Sequence, residues 1–82
     1  METVPRFFFD QRIRGWVLYD GEGEVFASVA EAMAHAETEM IKLVAERLEK
    51  GRRFEEEETL VRTEEGEIAG VVRASARNQS FQ

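Results

Sequence analysis

From Val29 to about Lys50, apolar residues return every three or four positions. Met33, Ala36, Met40, Leu43, Val44 and Leu48 form one stripe, widened by Ile41 and Ala45. Glu31, His35, Glu39, Lys42, Glu46, Glu49 and Lys50 fall on the other side. At about 100° per residue this is an amphipathic helix with one face for a core and one for water. No Gly or Pro interrupts it. Ser28 followed by Glu31 predicts a capping box, with the Ser oxygen accepting from an early N–H and the Glu reaching back to the cap N–H. Gly51 supplies a left-handed stop, and Arg52 and Arg53 suit the negative helix end. Lys42–Glu46 and Glu46–Lys50 are spaced to support the helix, which is about 33 Å long. Glu37 and Arg47 interrupt the apolar side. At its margins they would snorkel outward, or pair across the seam between helix and sheet.

The rest of the pattern is extended. One hairpin is predicted near Arg6–Arg14 and Trp16–Tyr19, turning around Arg14–Gly15. Asp20-Gly21-Glu22-Gly23 follows with turn chemistry, and Val25 and Phe26 fit a short extended piece before the helix. A second hairpin is predicted near Thr59–Thr63 and Glu67–Arg73, joined by Glu64-Glu65-Gly66. Glu55–Glu58 reads as a solvated acidic loop, and Ala74–Gln82 as a flexible tail. The expected fold is α+β: ββαββ, a four-stranded antiparallel sheet with one long helix packed on one face. A right-handed crossover gives the strand order 2-1-3-4. The chain reads as a single domain, 1–82, with its ordered core at about 4–73.

Residues 5–10 read Pro-Arg-Phe-Phe-Phe-Asp. Strand parity puts Phe7, Phe9 and Ile13 on one face and Phe8 on the other, with Arg6, Asp10 and Arg12. Trp16 and Leu18 oppose Val17 and Tyr19, and the second hairpin also carries apolar groups on both faces. One helix covers one face of such a sheet. An apolar remainder of several hundred Å² usually marks a contact site. The sequence therefore points to a homodimer, with Phe8, Arg6, Arg12 and Trp16 as candidate interface residues. A tail carrying Phe81 could cover that face instead.

Composition narrows the chemistry. With 82 residues, the chain is near the small end of independently folding domains, where a partner subunit helps. The net charge of −6 argues against general affinity for nucleic acid. The absence of Cys excludes disulfides, a thiol nucleophile and Cys-based metal sites. Neither a membrane span nor a signal peptide is evident, so a cytoplasmic location is the expectation.

His35, the one histidine, falls on the wet helix face between Glu31 and Glu39. That spacing can hold a divalent ion, but three ligands on an open face lack supporting groups, and a solvated His accounts for it better. No Ser-His-acid set, phosphate loop or separated carboxylate pair is present, so the chain is expected to be non-enzymatic, with no catalytic residues, cofactor, metal or small-molecule ligand. The alternative is a single-stranded nucleic-acid-binding module, because Phe8 among Arg6, Arg12 and Arg14 could stack a base. A heterologous protein partner is also open.

The motifs resemble a family of short bacterial proteins, frequent in α-proteobacteria such as rhizobia and catalogued as a domain of unknown function. Pro5-Arg6-Phe7-Phe8-Phe9-Asp10 is similar to that family's Pro-Arg-aromatic-aromatic-Phe-Asp/His opening. Asp20-Gly21-Glu22-Gly23 resembles its Asp-x-x-Gly turn, Val29-Ala30-Glu31-Ala32 the start of its helix, and Glu64-Glu65-Gly66 its last turn. Ser28 stands where Asp is common, and the acidic run at 55–58 is long. The resemblance covers about residues 4–73 and implies a fold and a bacterial origin, but no activity. The layout is also somewhat similar to small antitoxin domains of the HicB type, without their DNA-binding extension.

Overall fold

The computed structural model describes residues 5–51 and 56–74. Its elements are β1 (Arg6–Ile13), β2 (Trp16–Leu18), β3 (Glu24–Val25), α1 (Val29–Glu49), β4 (Glu57–Thr63) and β5 (Ile68–Ala74). All strand pairings are antiparallel, and the main path through the sheet is β2-β1-β4-β5. With β3 set aside, this is the order that the crossover rule gives. The element order is βββαββ rather than ββαββ, because Glu24 and Val25 pair with Phe7 and Arg6. The reason is length. The eight residues of β1 outrun the three of β2, and the chain returns to fill part of the open edge.

Both hairpin turns rest on left-handed residues. Arg14 (φ 54°) and Gly15 (φ 83°) make the two-residue turn that matches the strand twist. In the second turn, Gly66 (φ 92°) donates to the Thr63 carbonyl at 2.9 Å, and Thr63 donates to the Glu67 carbonyl at 2.8 Å.

The helix starts and stops where its signals lie. Ser28 Oγ accepts from the Glu31 N–H at 3.2 Å. Glu31 reaches back to the Ala27 N–H at 3.3 Å, one residue before the cap. Gly51 (φ 72°) ends the last turn, its N–H bonded to the Leu48 carbonyl. Arg52 and Arg53 lie outside the described residues, as do Glu55 and the tail residues 75–82.

The buried line of α1 is Ala32, Ala36 and Met40, four residues apart. Ala32 lies outside the expected stripe, whereas Ile41 and Leu48 of that stripe are exposed. The helix is rotated so that two alanines face Phe7 and Val61, which lets it sit close to the sheet. Continuing that line by about 3.6 residues per turn reaches position 47, not 48. Arg47 accordingly faces the seam, where it forms an ion pair with Glu57. Phe9, Phe26, Met33, Ala69 and Val72 complete the core. Burying Phe7 and Val61 contributes about 1.5–3 kcal/mol each.

The acidic run is not a solvated loop throughout. Glu57 and Glu58 belong to β4, and Glu57 is fully buried. A buried carboxylate is tolerated because the Arg47 guanidinium meets it.

Candidate functional site

Between the stretches of β1 paired to β2 and to β3, the edge of the strand needs another partner. Asp20 supplies it. Its Oδ2 accepts from the Phe9 N–H at 3.1 Å, and its Oδ1 accepts from Glu22 and Gly23, each at 3.1 Å. The carboxylate thus stands in for a strand carbonyl while closing its own turn. Gly23 (φ 70°) runs so close to β1 that a Cβ there would lie 2.8 Å from the Phe7 carbonyl and from the Phe8 ring.

This loop meets the face of the sheet turned away from α1. Directly opposed residues share a face, so Phe8 stands with Arg62, Asp10 with Leu60, and Arg12 with Glu58. Arg62 donates to Asp10 through Nε at 2.7 Å and Nη2 at 3.2 Å. The Asp20 N–H donates to the same carboxylate at 2.9 Å. The Arg62 guanidinium also lies 4.6 Å from the centre of the Phe8 ring, within cation–π range. Burial pushes the Asp10 carboxyl up, but the Arg62 hydrogen bonds, the Asp20 N–H and the Arg62 charge outweigh it and hold it below the usual range. Asp20 is lowered too, its burial outweighed by the N–H groups of Gly23, Phe9 and Glu22. A second ionic group crosses three strands. Arg12 Nε reaches Glu58 at 2.7 Å and Arg73 Nε reaches it at 2.6 Å, and these two guanidiniums lower the Glu58 carboxyl.

A family model described as a domain of unknown function (DUF6894) matches residues 6–75. The chain belongs to the DUF6894 family. No curated protein and no solved structure matches it. The match takes in both ionic groups, the whole helix and every strand of this DUF6894 domain, so the family supplies the frame of the site and no activity.

The four candidate interface residues do not share one surface. Arg6, Phe8 and Arg12 lie on the face away from α1, where Arg6 donates to the Glu22 carbonyl at 3.0 Å. Phe8 is only half-exposed, lying against Arg62 and the Gly23 backbone. Trp16 pairs with Ile13, and Leu18 with Gln11, which places both on the helix side. There α1 packs over β4 and β5 and leaves β2 uncovered. Trp16 is 77% exposed, Leu18 63% and neighbouring Tyr19 75%. The largest apolar exposure in the described residues of this DUF6894 chain is therefore gathered on the β2 edge strand.

His35 is not on a wet face between Glu31 and Glu39. It packs its ring against Phe9 and Phe26, with centroids 5.3 and 5.0 Å away, and its Nε2 lies 3.6 Å from Glu24. The bend before the helix folds Phe26 back and turns a helix-margin position into part of an aromatic cluster. Among the described residues no acidic or His group is arranged to hold a metal ion. None of their helices is long and apolar enough to cross a membrane. The functional reading of the sequence missed Asp10, Asp20 and Arg62 as a unit. Its one local signal was a charged Asp10 following three aromatics in a strand.

Proposed function

We propose that this domain is a non-enzymatic module that acts through protein–protein contacts and forms a homodimer through its β2 edge. The observation that carries this reading is the joint exposure of Trp16 and Leu18 on β2, which has one neighbour among the described residues, and of Tyr19 just after it. An uncovered strand edge offers main-chain donors and acceptors, and large side chains beside it supply apolar area. Support for a non-catalytic role comes from the carboxylates. Asp10 and Asp20 are both held low by donors that occupy their oxygens, so they are not a pair with separated acid and base roles.

Base stacking on Phe8 is less well supported. Its ring is in contact with Arg62, and Arg12, Arg62 and Arg73 are engaged by carboxylates of the same chain. Sedimentation velocity at tens of micromolar tests the homodimer. The reading expects a dimer that the double variant Trp16→Glu/Leu18→Glu converts to monomer with its circular dichroism unchanged. A monomeric parent chain would refute it.

A further inference from the structure

The edge that the homodimer reading uses is self-complementary in one register. In a two-residue hairpin the residues flanking the loop, here Ile13 and Trp16, exchange main-chain hydrogen bonds. The next pair, Arg12 and Val17, is then of the other kind, and Val17 directs its N–H and C=O away from β1. Val17 is also the middle residue of β2, which has no neighbour on that side among the described residues.

We propose that a second copy of this chain docks antiparallel along β2 with the two-fold axis through Val17. Val17 and the partner's Val17 exchange two main-chain hydrogen bonds. Trp16 then falls opposite the partner's Leu18, and Leu18 opposite the partner's Trp16. These are non-hydrogen-bonded pairs, the kind in which opposed side chains come closest. Both contacts form on the helix side of the sheet, where α1 leaves β2 uncovered.

Exposed Trp16 and Leu18 offer on the order of 300 Å² per copy. A standard interface buries about 800 Å² per partner, so the flanking loop and helix must add the rest. The result is one antiparallel sheet running through both copies, with an isologous contact that closes on itself.

The register rests on the homodimer reading and is tested separately from it. The chain has no cysteine, so a single introduced thiol reports its own position. Val17→Cys places two thiols across the axis at a spacing that a disulfide accepts. Val71→Cys, on the exposed outer strand β5, is the comparison. Under mild oxidation at tens of micromolar, Val17→Cys should form a covalent dimer at least about tenfold faster than Val71→Cys, as expected for thiols held at millimolar effective concentration. Faster linkage of Val71→Cys, or a sedimenting dimer in which Val17→Cys stays unlinked, overturns this register and leaves the homodimer standing. A parent chain that sediments as a monomer overturns both.

Discussion

Replacing Asp10 by Asn tests whether the Asp10–Arg62–Asp20 group holds the sheet and its loop together. Asp10 is 1% exposed, and its side chain keeps its shape in the variant. As a carboxylate it accepts two bonds from Arg62 and one from the Asp20 N–H. The amide can still accept from Asp20, but it loses its charge and turns an NH2 toward a guanidinium. Losing at least one charge-assisted bond at a buried site costs about 1.5–3 kcal/mol. For a domain of this size that lowers Tm by about 10 °C.

The pH dependence sharpens the test. Asp10 is lowered in the folded chain, so its contribution is present above the unfolded carboxylate pKa of about 4 and is lost as pH falls through the folded value. The amide of the Asp10→Asn variant does not titrate. The stability gap between parent and variant should therefore be full at neutral pH and shrink below about pH 4. Urea unfolding followed by circular dichroism, at one fixed chain concentration, measures it. A gap under about 0.5 kcal/mol at neutral pH, or one that stays constant on acidification, would refute the reasoning.

Other substitutions probe the frame. Gly23→Ala requires a left-handed Ala with its Cβ against the Phe7 carbonyl, and should cost more than about 2 kcal/mol in urea unfolding. Gly70→Ala would drive a Cβ into Met33 Sδ and should cost about 1–3 kcal/mol, relieved when Met33 is shortened to Ala. Ser28→Ala removes the acceptor for the Glu31 N–H and should cost about 1 kcal/mol, read from the same unfolding curves.

The helix was legible because its signals are local: a cap at Ser28, a stripe of 3.6 period and a stop at Gly51. The turns at Arg14–Gly15 and Glu64–Gly66 were legible for the same reason. What stayed hidden depends on partners distant in the chain. Asp10 is charged and buried because Arg62, 52 residues away, pairs opposite Phe8 in the register. Glu57 sits in an acidic run that reads as solvated, and only the rotation of α1 brings Arg47 onto it. Strand parity placed Phe8 away from the helix correctly, yet parity carries no knowledge of Arg62 or of the Gly23 loop. Trp16 was singled out on parity with the wrong neighbours, since the face it shares is fixed by its pairing with Ile13. The three consecutive phenylalanines thus resolve into two core residues and one that packs against its own chain.

Trp16 is the one tryptophan in the chain, and it lies in the proposed contact, next to the two-fold axis at Val17. Its fluorescence reports the contact without a label. Over a dilution series from tens of micromolar to nanomolar, the account predicts emission that is blue-shifted when concentrated and moves to the water-exposed position on dilution. The chain should sediment at twice its 9.4 kDa mass at the concentrated end. Water-exposed emission at every concentration, with a single 9.4 kDa species, would contradict it.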